Sequence, residues 1–362
     1  MSGDEQKYVK EAFDTNWVAP LGPNVTFFEQ AIEDYIQNDI YAAALSSGTG
    51  AIHLALELLN VRQGDEVICQ SFTFSASANP IMYLGANPIF VDSEKDTWNI
   101  SPELLRETIE SRIANGKKPK AIVAVHLYGM PYKVKEIEQI SKEFNIPVIE
   151  DSAEALGSSA NGINCGSFGD IGILSFNGNK IITTSGGGAL LTKNKEIKER
   201  AVYLATQARD KAPHYQHSVV GYNYRMSNIL AGIGRGQMEV LDERVDARRA
   251  NFEFYYNHLK STNGVEILME PNGFYSNRWL TCILTPSFEK REEIRLALQE
   301  ENIESRPLWK PMHMQPVFNE FPCFTNGVSE DLFQRGLCLP SGSNLALNDL
   351  TRIVEIINSQ ML

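Results

Sequence analysis

The sequence predicts an α/β protein, with a large domain around a mainly parallel central sheet and a smaller C-terminal α+β domain. Three observations predict it. Short apolar, β-branched runs recur at 66–69, 88–91, 121–126, 147–150 and 172–175, and each pair is separated by a stretch able to form a helix. The runs are continuously apolar rather than alternating, which is the pattern of strands covered on both faces. After Arg225 the character changes to one long amphipathic stretch followed by shorter elements. The expected divisions are an N-terminal helix and arm over 1–20, a large domain over 21–245 and a small domain over 246–362.

Taken in order, Tyr8, Ala12 and Phe13 share one helical face, and Pro20-Leu21-Gly22-Pro23 ends that helix and its extended arm. Phe27, Phe28, Ala31, Ile32 and Tyr35 fall at helical spacing and predict a second helix over 26–37. The strand candidates follow. Residues 228–262 then read as a single long helix with charges on one side. A strand candidate at 279–284 and a terminal helix over 349–360 belong to the small domain.

Composition excludes several classes of function. Hydrophobic residues at 43% and charged residues at 22% exclude a disordered or fibrous chain. Lys+Arg 33 against Asp+Glu 45 leaves a net charge of −12, so neither a nucleic acid nor an anionic membrane surface is an expected partner. The opening MSGDEQKYVK has no apolar stretch of the kind a secretory signal needs. Five cysteines (Cys69, Cys165, Cys282, Cys323 and Cys338) are odd in number and form no C-x-x-C pair, so reduced thiols, no metal site and a cytoplasmic location are expected.

Three segments carry candidate chemistry. Lys180 follows a strand among Asn177, Gly178 and Asn179, with glycines 186–188 beyond it. A lysine in a tight polar loop at a strand end can present its amine to a carbonyl; the plainer alternative is an exposed loop lysine. Glu150, Asp151 and Glu154 follow the apolar strand 147–150, where carboxylates face the ligand crevice of an α/β fold; a helix cap by Asp151 or Ser152 is the plainer alternative. Ser46-Ser47-Gly48-Thr49-Gly50-Ala51 opens a helical run and offers backbone amides to a phosphate, although any capped helix can begin this way. Phe74, after a strand, offers a face for a planar ring. Gly232-Ile233-Gly234-Arg235-Gly236 imitates a dinucleotide loop but follows no strand, so it is read as helix.

Six ordered motifs together resemble the DegT/DnrJ/EryC1/StrS family of sugar-nucleotide aminotransferases: Gly48-Thr49-Gly50, Phe72-Thr73-Phe74, His126-Leu127-Tyr128-Gly129, Glu150-Asp151-Ser152-Ala153, Ser175-Phe176-Asn177-Gly178-Asn179-Lys180 and Gly221-Tyr222-Asn223-Tyr224-Arg225. The resemblance runs from Trp17 to Gly342. It implies the fold-type I architecture of aspartate aminotransferase and the cofactor pyridoxal 5′-phosphate. Lys180 would be the catalytic, cofactor-bearing lysine, Asp151 would face the ring nitrogen, and Glu154 would lie near the ring oxygen or the substrate. Phe74 would stack on the ring, while Gly48, Thr49, Gly50 and the Ser175 hydroxyl would hold the phosphate. Asn223 would reach the phosphate of a second subunit, implying a homodimer with shared active sites. Substrate would meet Asn16, Trp17, Val18, Ala19, Asn177, Arg225, Arg306, Trp309, Lys310 and His313.

Many members of that family read T-x-G-E-G-G after the lysine, where this chain reads Thr184-Ser185-Gly186-Gly187-Gly188. With Thr206-Gln207-Ala208-Arg209 and the 306–313 segment, the chain looks most like the C4 aminotransferases of the UDP-N-acetylbacillosamine pathway. The implied partners are L-glutamate as amine donor and a UDP-linked 2-acetamido-4-keto-2,4,6-trideoxyhexose, with the product entering a bacterial surface glycan or protein glycosylation. The competing readings are C3 or C4 amination of a GDP- or dTDP-linked keto sugar, and a non-catalytic, cofactor-binding regulatory member.

Overall fold

The computed structural model describes residues 1–361. In chain order the first half runs α1 (Glu5–Asp14), α2 (Pro23–Ile36), β1 (Tyr41–Leu45), α3 (Gly48–Leu58), β2 (Glu66–Gln70), α4 (Asn79–Tyr83) and β3 (Asn87–Val91). It continues with α5 (Pro102–Ala114), β4 (Ala121–Val125), α6 (Val134–Phe144), β5 (Val148–Asp151), β6 (Ser159–Ala160), β7 (Ile163–Asn164), β8 (Ile171–Ser175) and β9 (Gly188–Thr192). Helices α7 (Lys195–Ala205), α8 (Asn228–Met238) and α9 (Leu241–Leu259) lead to the C-terminal part. There follow β10 (Glu266–Ile267), β11 (Phe274–Tyr275), β12 (Thr281–Leu284), α10 (Phe288–Glu300), β13 (Arg306–Pro307), β14 (Cys323–Phe324), α11 (Val328–Arg335), β15 (Gly336–Leu339) and α12 (Leu347–Gln360).

The large sheet has the order β1-β9-β8-β5-β4-β2-β3-β14, and only β9 runs antiparallel to its neighbours. Alternate side chains explain its apolar runs. Val67 and Cys69 of β2, with Ala121 and Val123 of β4, join one buried cluster, whereas Ile68, Ile122 and Ala124 join the cluster on the opposite face. Both faces are covered by helices, so no polar alternation is needed. The smaller sheet, β10-β12-β15-β13, packs with α9, α10 and α12 through Tyr255, Ile283, Leu298, Leu337 and Ile353. The α/β class with its mainly parallel sheet is therefore as expected. Among the described residues no helix is long and apolar enough to cross a membrane.

The structure corrects the single helix expected over 228–262. The helix breaks at Glu239 and Val240, where Val240 leaves the helical region at φ −119°, ψ 14°. The two pieces serve different cores. Helix α8 packs on α1 and α2, so closely that a Cβ on Gly234 would fall 2.6 Å from the Phe28 ring. Helix α9 instead carries Tyr255 and Leu259 into the small-domain core. The dinucleotide-like glycines thus lie inside α8 as packing residues. The division expected at 245/246 falls within α9, and β14 returns from the C-terminal part to pair with β3 of the large sheet.

Candidate active site

The chemistry-bearing segments sit at the C-terminal ends of parallel strands, where open α/β sheets bind ligands. After β1, Ser47 takes an extended conformation and caps α3, its Oγ accepting the Gly50 N–H at 2.9 Å. Gly50 therefore gives its amide to the cap, and the amides of Gly48 and Thr49 stand at the open, electropositive helix end. Ser175 closes β8 beside them. A Cβ on Gly48 would lie 3.0 Å from the Ser175 Cβ, and one on Gly188 would lie 2.4 Å from the Gly48 N. Glycine at both positions lets the helix end, β8 and β9 converge on one small oxyanion-sized cradle.

Asp151 ends β5 and is buried. One of its oxygens accepts the Ser77 hydroxyl at 2.6 Å and the other accepts the Ala153 N–H at 3.1 Å. Ser77 in turn lies 2.8 Å from the Thr73 hydroxyl. No regular helix begins at Asp151, so the capping alternative gives way to a carboxylate fixed at the cavity wall. Glu154 is also buried. Its Oε2 accepts the Tyr128 N–H at 2.7 Å, and its Oε1 lies 3.3 Å from Lys180 Nζ. Burial pushes the Glu154 carboxyl up to about 7, against the pull of Lys180 and the Tyr128 N–H. Tyr128 holds a left-handed φ of +54°, which turns its amide toward Glu154.

These groups open into a cavity of about 980 Å³. Of the expected residues, Gly48, Thr49, Phe74, Asp151, Glu154, Ser175, Asn177, Lys180, Arg306 and Trp309 line it. Lys180 is thus a cavity residue rather than an exposed loop lysine. Phe72 is fully buried in the core, whereas Phe74 is 55% exposed and its ring lies 5.4 Å from the Trp309 ring.

Other expected residues lie elsewhere in this chain. Arg225 is committed to Glu29 and to the Ala44 carbonyl, which ties α2 to β1, so it is not free to meet an anion in the cavity. His313 contacts Ser71 at 2.6 Å and Glu330 at 3.2 Å, and Lys310 does not line the cavity. The arm Asn16, Trp17, Val18 and Ala19 is held by Asn228, which binds the Trp17 and Ala19 carbonyls at 2.7 and 3.0 Å; it too lies off the cavity. Asn223 bridges to Thr206. The arm keeps large apolar groups outside, Trp17 being 44% exposed.

Sequence reasoning missed Ser77, which fixes Asp151, and Trp279, which packs against Lys180. Ser77 carried no signal beyond lying three residues after Phe74, and Trp279 was read only as the start of a strand. His126, Glu150 and Cys165 approach one another within 4.8 Å. Glu150 accepts the Phe168 and Gly169 amides and the Ser152 hydroxyl, and His126 Nδ1 accepts the Tyr132 N–H, so the carboxylate and the imidazole are already satisfied within the protein.

The residues present fit pyridoxal phosphate. Its phosphate suits the glycine cradle at Gly48, Thr49 and Ser175, its ring nitrogen suits the fixed Asp151 carboxylate, and its carbonyl carbon suits the Lys180 amine.

The model of the DegT/DnrJ/EryC1/StrS aminotransferase family matches residues 1–358. EpsN of Bacillus subtilis (strain 168), provisionally named a pyridoxal phosphate-dependent aminotransferase, is 52% identical over 361 residues, covering 99% of this chain and 93% of EpsN. A GDP-perosamine synthase of Escherichia coli O157:H7 is 40% identical over 359 residues, covering 99% and 96% of the two chains. The crystal structure of a DegT DnrJ EryC1 StrS aminotransferase from Brucella abortus superposes with a TM-score of 0.92 at 28% identity, covering 98% of this chain and 95% of that one.

Proposed function

The chain belongs to the DegT/DnrJ/EryC1/StrS aminotransferase family, and from that premise we propose that it moves the amino group of L-glutamate to C4 of a UDP-linked 2-acetamido-4-keto-2,4,6-trideoxyhexose. It is a pyridoxal phosphate-dependent aminotransferase of fold-type I. The transamination is carried by the Lys180 amine 3.3 Å from Glu154, in one cavity with Asp151 and the α3 N-terminus, and the UDP-linked acceptor is supported by the motifs at 180–188, 206–209 and 306–313. The cofactor, when bound, supplies an electron sink that stabilises negative charge on the carbon losing its proton.

The chain's own residues divide the remaining work. Gly48, Thr49 and Ser175 would hold the phosphate, and Asp151, locked by Ser77, would face the ring nitrogen and favour a proton there. Lys180 Nζ would hold the cofactor through its carbonyl carbon and, as a free amine, would be the group that takes up or returns a proton at the donor's α-carbon. Glu154, with its carboxyl near 7, is poised to hold or release a proton beside that amine. Arg306, on the cavity wall with Glu304 beside it, offers a guanidinium to a substrate carboxylate or diphosphate, and Trp309 offers an aromatic face.

A homodimer is part of this reading. Asn223 and the 16–19 arm lie off this chain's own cavity and are offered to the cavity of a second copy. Exposed Phe13, Trp17, Val18, Leu21 and Phe27 supply apolar surface for that contact.

A second reading has one observation in its favour. The 40% identity to a GDP-perosamine synthase supports a GDP-linked 4-keto-6-deoxy sugar as acceptor. The deciding experiment follows the visible spectrum of the purified enzyme. Glutamate should convert the cofactor to its amine form, and the UDP-linked keto sugar should restore the original band. Restoration by the GDP-linked sugar alone would favour the second reading, and no response to glutamate would overturn both.

A further inference from the structure

The segment Ser276-Asn277-Arg278-Trp279 joins β11, which pairs with β6, to β12 of the smaller sheet, and its Trp279 lines the cavity. It is bound at every residue. The Asn277 backbone N–H donates to Ser158 Oγ at 2.8 Å, and its Nδ2 donates to the carbonyls of Glu154 and Leu156, both at 2.8 Å. Asn277 Oδ1 accepts the Trp279 N–H at 2.9 Å. Arg278 has a left-handed φ of +51°, which a residue with a Cβ adopts only when its surroundings impose it. Arg278 lies against the Phe252 ring at 3.5 Å, and the Trp279 carbonyl accepts from Arg248. The segment is thus a rigid bracket on the strand end that bears Glu154.

The bracket presents Trp279, 3% exposed, to the loop that carries Lys180. The indole Nε1–H donates to the Asn179 carbonyl at 2.8 Å. The Lys180 Nζ lies 4.4 Å from the centre of the indole ring, within the range in which an ammonium is attracted to an aromatic face. Glu154 Oε1 lies 3.3 Å from the same amine. An indole does both things at once, with an N–H donor at its edge and the strongest quadrupole of the aromatic side chains on its face.

We propose that Trp279 is a positioning residue for Lys180. Its N–H fixes the backbone just before the lysine, and its face seats the amine whenever that amine is free. The inference rests on the reading of Lys180 as the cofactor-bearing lysine. The seat prevents the long side chain from swinging into the cavity of about 980 Å³ whenever no covalent bond restrains it.

The test uses the full-length apoprotein, a limiting amount of an amine-acylating reagent and peptide mass spectrometry. Lys180 acylation is measured relative to exposed Lys10. Trp279→Phe keeps an aromatic face and loses the N–H, whereas Trp279→Met keeps a flexible apolar side chain with no such face. Acylation of Lys180 should rise about fivefold or more in Trp279→Met and distinctly less in Trp279→Phe, with the circular dichroism of both unchanged. In the holoenzyme, Trp279→Phe should lower kcat severalfold and leave the KM for glutamate within about twofold, since only the lysine is disturbed. Equal acylation in wild type, Phe and Met variants would overturn the proposal. If Trp279→Met does not fold, an unchanged acylation rate and kcat in Trp279→Phe would overturn it instead. Borohydride trapping of the wild-type holoenzyme separates the underlying reading: a pyridoxyl group on another lysine would reject Lys180 as cofactor lysine, whatever the acylation result.

Discussion

The Glu154 carboxylate and the Lys180 amine face each other at 3.3 Å across the cavity floor, and the other Glu154 oxygen takes the Tyr128 N–H at 2.7 Å. Glu154 is buried and Lys180 half-buried, so the carboxyl responds to pH as an exposed one would not. The folded-state carboxyl is raised from 4.5 to about 7, so the folded chain retains a proton that the unfolded chain releases across that interval. The stability this contributes is complete below the unfolded value and is lost as pH rises through about 7. Glu154→Gln apoprotein should therefore gain on wild type between pH 5 and pH 8, by up to about 3 kcal/mol in urea unfolding. An equal gap between the two proteins at both pH values would refute the assignment.

Ser77 is predicted to matter through Asp151. Ser77→Ala leaves a buried carboxylate oxygen without the hydroxyl now 2.6 Å away. The loss should cost about 2 kcal/mol in apoprotein stability and weaken cofactor retention during dialysis. Ser77→Thr, which keeps the hydroxyl, should recover most of both. Wild-type cofactor retention in Ser77→Ala would show that Asp151 needs no such support.

The glycine cradle makes a steric prediction. A methyl group at position 188 would sit 2.4 Å from the Gly48 amide nitrogen, closer than any relaxed contact. Gly188→Ala should push the α3 terminus off Ser175 and lower the affinity for pyridoxal phosphate by an order of magnitude or more, at a stability cost of roughly 1–3 kcal/mol. Isothermal titration of the apoprotein with the cofactor reads the first effect directly. Unaltered affinity would remove the phosphate from this cradle.

The proposed dimer makes a mixing prediction. Lys180→Ala and Asn223→Ala should each be inactive alone, the first by a factor of roughly 10³ or more. If each cavity takes Asn223 from a second copy, refolding the two variants together should restore about a quarter of wild-type turnover, because half the dimers are mixed and each mixed dimer has one intact site. Absence of any recovery, with dimers present by light scattering, would place Asn223 in its own chain's site.

The parallel strands were legible because burial on both faces leaves apolar runs that few other structures produce. Strand β1, Tyr41-Ala42-Ala43-Ala44-Leu45, was not, since alanine has no strand preference and its place is set by pairing with β9. Lys180, Asp151, Glu154 and Ser175 were legible because strand ends and small residues mark the crevice. Arg225 was not, because a guanidinium in a motif says nothing of which carboxylate it will find, and Glu29 arrives from a helix 196 residues earlier. Trp279 stayed hidden for the same reason: its partner Asn179 is 100 residues away.

Strand β14 has a consequence for how the protein is made. Cys323 and Phe324 pair with Phe90 and Val91, so the outer margin of the large sheet is sealed by residues near the end of the chain. Until they leave the ribosome, β3 presents unpaired backbone groups to its surroundings, an invitation to intermolecular strand addition. At about 5–20 residues per second that interval lasts on the order of 10 s or more. The N-terminal portion is consequently a poor candidate for expression by itself, and its nascent form is a natural client for a chaperone that shields bare strands.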